Sequence, residues 1–238
     1  MADSRIIPWK TIAVEAVAVV VSILLAFAID AWWTEKKESD VEYAALRALR
    51  SDFAASQDQL AAVLRSLESG RSSFARFQLA TPAELTEIDP DAIRQILTGL
   101  VKNHTFDPAT ATLDALANDG RLGLISDPQL LRHLSKWRRD LDNIEDISFE
   151  LRAESVLVRR AMQVHGGPFW RWSGRLDGLE VLQRADGETL ANFRRDEDFM
   201  GAARSHQYAL AVYLRALRNL EETLDSTMQS LDQISTQR

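Results

Sequence analysis

The chain has 238 residues, a formal net charge of −7 and no cysteine. Without cysteine there are no disulfides, thiolate metal sites or cysteine nucleophiles, and either side of a membrane would suit such a chain. The acidic balance, with basic residues interleaved among acids, argues against a broad nucleic-acid surface, and a composition of 46% hydrophobic and 26% charged residues is that of an ordinary folded domain.

Residues 1–10 form a short tail carrying Arg5 and Lys10. The next segment, Thr11–Trp33, reads TIAVEAVAVVVSILLAFAIDAWW. Its length matches the roughly 20 residues of a membrane-spanning helix. Trp9 precedes it, and Trp32 and Trp33 close it. On a helix these tryptophans stand about 34 Å apart, which suits the two lipid interfaces. A retained span is favoured over two alternatives. A cleaved signal peptide could use the small residues of Ala26-Phe27-Ala28, but Glu15 breaks the apolar segment. A pilin-like stalk also carries an early glutamate, but its processing site needs a glycine where Lys10 stands.

Glu15 and Asp30 lie toward the ends of the run, so headgroup-level placement is expected. There the cost falls below the roughly 3 kcal/mol of a charge at mid-bilayer. On a helical wheel Glu15, Ala18, Ser22, Ala26 and Trp33 share one stripe. Ala18, Ser22 and Ala26 are spaced as small residues are where membrane helices pack closely. The stripe predicts a neighbouring helix, from a second copy or another subunit. Basic residues on the two sides nearly balance, Arg5 and Lys10 against Lys36, Lys37, Arg47 and Arg50. Orientation is therefore weakly encoded.

Residues 34–238 read as a helical bundle domain. Three segments carry apolar residues at alternating 3 and 4 spacing. The first runs from Leu46 through Phe53 and Leu60 to Phe77, the second from Leu130 through Trp137 and Leu151 to His165, and the third from Ala203 through Tyr213 and Leu224 to Ile234. The expected fold is all-α: a transmembrane helix, then an antiparallel bundle of three long helices with a cap of short helices. The cap is residues 81–127, with helix starts at Thr81-Pro82, Asp89-Pro90, Asp107-Pro108 and Asp127-Pro128. In each a side-chain oxygen precedes a proline suited to the first turn. Thr81 with Glu84 also fits a capping box.

If the first long helix rises from the membrane and the cap lies at its far end, the second helix returns toward the lipid. That topology sets an aromatic loop, residues 166–195, beside the bilayer. Phe169, Trp170 and Trp172 then serve either as interfacial aromatics or as a plug for the bottom of the bundle.

No catalytic constellation, phosphate loop or metal-ligand spacing occurs in the sequence. His104, His133, His165 and His206 stand far apart, and the last two fall on apolar seams, where a satisfied core histidine is the expectation. Ser56, Ser148, Ser155 and Thr227 dilute the seams, and either line a small polar cavity or set register. No cofactor is implied, and the chain reads as a non-enzyme.

Several stretches resemble a family of bacterial single-span membrane proteins catalogued only as a domain of unknown function. They are Leu25-Ala26-Phe27-Ala28-Ile29-Asp30-Ala31-Trp32-Trp33 with the charged Glu35-Lys36-Lys37-Glu38 behind it, then Pro108–Leu116, Gly120–Asp127 and Leu130–Leu134. The resemblance covers the anchor and the centre of the chain, not its C-terminal third. It implies a bacterial inner-membrane protein with a cytoplasmic N-terminus and a periplasmic bundle, and it supplies no activity. The leading expectation is a membrane-anchored interaction or scaffolding protein. Its partners would be the lipid bilayer and other subunits or copies of itself. A sensor-like ligand-binding bundle and an oligomeric single-span channel subunit are the alternatives.

Overall fold

A computed structural model describes residues 9–101, 105–165 and 187–237, and among them every regular element is helical. The first helix, α1, runs unbroken over Trp9–Leu79. No proline falls in it, and Gly70 is its only glycine, so nothing in the sequence kinks it or stops it at the end of the apolar run. Short helices follow: α2 at Pro82–Thr86, α3 at Pro90–Val101, α4 at Ala111–Asn118 and a 3-10 turn at Arg121–Leu124. Two long helices, α5 at Pro128–His165 and α7 at Glu197–Gln237, flank a short α6 at Gly187–Arg195.

Polar pairs fix the direction of each helix. Between α1 and α7, Arg50 binds Asp232 at 2.6 Å, Gln57 binds Asp225 at 3.0 Å and Arg218 binds Glu68 at 2.6 Å. As one number rises the other falls, so these helices are antiparallel. Between α5 and α7, His133 meets Ser230 at 3.0 Å and Asp140 accepts from Thr223 at 2.7 Å. These two are antiparallel as well. It follows that α1 and α5 run the same way.

This corrects the expected topology. Only the first part of the 81–127 segment lies at the far end, where α2 and α3 add Leu85, Ile93, Leu97 and Leu100 to the cluster of Phe74 and Phe77; the rest is a descending limb laid along α1. Its path is fixed by contacts that hydrophobic spacing does not reveal. Near its top, Gly70 of α1 and Gly99 of α3 touch backbone to backbone; a Cβ added at Gly99 would stand 2.8 Å from the Gly70 Cα. Lower down, Ser56 accepts the Ala109 amide at 3.0 Å and Asp52 accepts the Thr112 amide at 3.0 Å. At the bottom, the largely buried Glu42 accepts both the amide and the hydroxyl of Ser126, at 2.8 and 2.7 Å. The limb thus returns the chain to the end nearest the apolar run before α5 starts.

The caps divide accordingly. Thr81 and Glu84 form the expected capping box, and the Asp127 carboxylate accepts the Gln129 and Leu130 amides. Asp89 accepts the Asp91 amide at 3.2 Å. Asp107-Pro108, however, does not start a helix. Helix α4 begins at Ala111 behind Thr110, which makes no side-chain cap bond. Asp52 of α1 supplies the missing acceptor from across the interface, so this helix end is satisfied in tertiary structure rather than locally.

The apolar seams pack into two clusters. The larger holds Leu46, Phe53, Trp137, Leu151, Tyr213 and Leu224; the other, toward the far end, holds Phe74, Phe77, Leu85, Met162, Phe193 and Phe199. The boundary between them falls at Gly70 on α1, Ser155 on α5 and His206 on α7. Buried hydroxyls on the seams are mostly satisfied within their own helices: Ser148 donates to the Glu145 carbonyl, Ser155 to that of Leu151 and Thr227 to that of Thr223.

One further correction concerns residues 166–195. Residues 187–195 are the helix α6, not loop; its Leu190, Ala191 and Phe193 are buried in the far cluster. Phe169, Trp170 and Trp172 lie outside the described residues. The helices on either side of them end at the far end of the bundle. Met162, near the end of α5, shares a cluster with Phe77 and Phe199, and Gly187 lies against the Leu85 and Thr86 backbone.

Candidate functional site: the apolar arm and the bundle interior

Among the described residues one helix is long and apolar enough to cross a membrane, and it is the N-terminal part of α1. None of its most apolar window is buried in the protein. From Val17 to Trp33 every residue is exposed, Phe27 to 68% and Leu24 to 62%. Side chains this apolar, unpacked along their whole length, need a partner other than water.

Ala18, Ser22 and Ala26 are exposed on this arm. The Ser22 hydroxyl donates to the Ala18 carbonyl at 2.8 Å, so its polar group is satisfied within the helix. Asp30 is exposed as well. Glu15 and Trp9 lie on α1, but their side chains fall outside what the structure describes. At the other end the Trp32 and Trp33 rings stand 6.4 Å apart, and the Lys36 ammonium lies 5.4 Å from the Trp32 ring centre. An aromatic pair with a cation beyond it suits the boundary between hydrocarbon and headgroups.

Inside the bundle, His206 is where the sequence expectation fails. It is 2% exposed on its seam, as expected, but its Nδ1 atom has no hydrogen-bond partner among the described residues. The buried Glu154 Oε2 and Gln207 Nε2 atoms also have none. Glu154 lies on α5 within electrostatic reach of His206 on α7. His133, in contrast, is satisfied by Ser230. His104 lies outside the described residues, as does the side chain of His165. No group of three or more metal-ligating side chains occurs among the described residues.

Burial pushes the His206 pKa down from its usual 6.5 to about 4, against the opposing pull of Glu154. The folded protein therefore holds the neutral imidazole, while the unfolded chain takes up a proton near its usual pKa. A lowered folded-state pKa makes stability full above about pH 6.5, and it is lost as pH falls toward about 4. The loss reaches about 3 kcal/mol. Thermal midpoints of wild type should drop across this window, and His206→Leu should flatten the profile. Identical pH profiles for the two proteins would show that His206 is not the group being protonated.

A cleft of about 390 Å³ opens between residues 105–108 and α5. Tyr213 forms part of its wall, and the Phe106 amide donates to the Tyr213 hydroxyl at 3.2 Å. Burial raises the Tyr213 pKa, opposed by that amide and by the Arg152 charge. Sequence reasoning did not single out this cleft. The available signal was Glu145, Ser148 and Arg152 at 3 and 4 spacing beside the α5 seam, but nothing local indicated that residues 105–108 would face them.

No known protein family, curated protein or solved structure matches the chain.

Proposed function

We propose that the chain is a single-pass, membrane-anchored helical interaction protein, an accessory or scaffolding subunit that works by holding its bundle beside a membrane partner. The observation that carries this reading is the run of exposed apolar side chains at residues 17–33, continuous with the helix that forms one wall of the folded domain. A lipid bilayer is the partner that fits its length and composition. The resemblance to bacterial single-span proteins supports an inner-membrane location, with the N-terminus cytoplasmic and the bundle on the exported side.

The Ala18-Ser22-Ala26 stripe is the contact surface for a neighbouring membrane helix, because small residues let two backbones approach closely. Ser22→Leu with Ala26→Leu should shift the protein from an assembly to a smaller species on sizing in mild detergent. Unchanged size would remove the stripe from the interface. Identification of what co-purifies with wild type then distinguishes self-association from a mixed complex.

A further inference from the structure

The cleft beside Tyr213 has the features of a small-molecule site. Its volume of about 390 Å³ falls within the roughly 300–1,000 Å³ of typical ligand pockets. Its walls combine apolar surface from Phe106 and Ile144 with charges of both signs, Asp107 and Glu145 against Arg152. Glu145 and Arg152 lie on one face of α5, two turns or about 10 Å apart. No hydrogen bond or ion pair occupies the side chain of Asp107, Glu145 or Arg152 among the described residues.

Tyr213 adds a directed polar group. The residue is 1% exposed, and its hydroxyl oxygen receives the Phe106 amide. The oxygen's lone pair is thereby engaged, and the hydroxyl's own hydrogen remains to donate. Arg152 is close enough for its charge to act on this phenol. The cleft wall thus offers a cation, a neutral donor and two carboxylates.

This charge arrangement selects among ligand classes. A simple anion would meet two carboxylates, and a simple cation would meet Arg152. A molecule carrying both charges satisfies all three. We propose that the cleft binds a small zwitterion of amino-acid size. Its carboxylate lies on Arg152 and the Tyr213 hydroxyl, its ammonium on Asp107 and Glu145, and its apolar part against Ile144 and Phe106. Charge-assisted hydrogen bonds at both ends provide orientation as well as affinity. The proposal goes beyond membrane anchoring and stands whether or not the anchor reading holds.

The test uses the full chain in detergent, titrated calorimetrically with each standard L-amino acid. Every binder is then compared with its decarboxylated amine and its deaminated acid; for leucine these are isoamylamine and 4-methylpentanoate. At least one amino acid should bind, and both of its singly charged counterparts should bind roughly tenfold or more weakly. Arg152→Ala changes an exposed side chain and should weaken the amino acid by a similar factor while leaving the thermal midpoint of the free protein in place. The proposal is overturned if no amino acid binds, if either counterpart binds as tightly as its parent, or if Arg152→Ala binds like wild type.

Discussion

Trp137→Ala should be among the most damaging truncations in the bundle, costing about 3–5 kcal/mol. The indole is 1% exposed. Its ring centre lies 5.0 Å from that of Phe53 on α1 and 6.3 Å from that of Phe106, which meets it edge-on. One side chain therefore ties together α1, the chain just before α4, and α5. Truncation opens a cavity where three parts of the fold meet, and none can close it without leaving the others. Against a typical domain stability of about 5–15 kcal/mol, this is a large share. Urea unfolding followed by circular dichroism should show a sharply lowered midpoint with an unchanged slope. A wild-type midpoint would mean that Trp137 is not at the centre of the core.

Leu24→Arg should weaken membrane integration while leaving the bundle folded. Leu24 lies near the middle of the apolar arm and is 62% exposed, so the substitution breaks no packing within the protein. An arginine at the centre of a spanning helix costs about 2.5–3.5 kcal/mol on insertion scales. A second one at Val20, one turn earlier, should deepen the loss. Alkaline carbonate extraction of membranes should release a growing soluble fraction across this series, with bundle unfolding unchanged. Full retention of the double variant in the membrane pellet would contradict the anchor reading.

These two positions mark what the sequence made legible and what it did not. Leu24 is read directly, because an apolar run of bilayer length is a local property. Burial of Trp137 is read almost as directly. The 3-and-4 seams on α1, α5 and α7 coincide with the buried faces, from Leu46 to Phe77, Leu130 to Met162 and Ala203 to Leu231. Direction was not legible. Apolar spacing specifies which face of a helix is buried but not which way its neighbour points. That information sits in Glu42, Asp52 and Ser56, three polar residues of α1 whose partners are backbone amides some 50 to 85 residues away. Nothing local distinguishes them from solvated surface. The Tyr213 cleft was hidden for the same reason, since it forms only once the descending limb is laid against α5.

The 71 residues of α1 make a rod of about 106 Å. With no proline, and no glycine before Gly70, anchor and domain are joined without a swivel. From Trp33 to Leu79 the rod extends about 69 Å, so roughly 10° of tilt in the bilayer carries its far end about 12 Å sideways. Rotation about the rod axis likewise turns the bundle by the same angle. The helix is a lever arm. Under the proposed anchoring, a neighbour that grips the Ala18-Ser22-Ala26 stripe would set the azimuth of every bundle surface above it, and a change in bilayer thickness would be converted into lateral travel at α2 and α6.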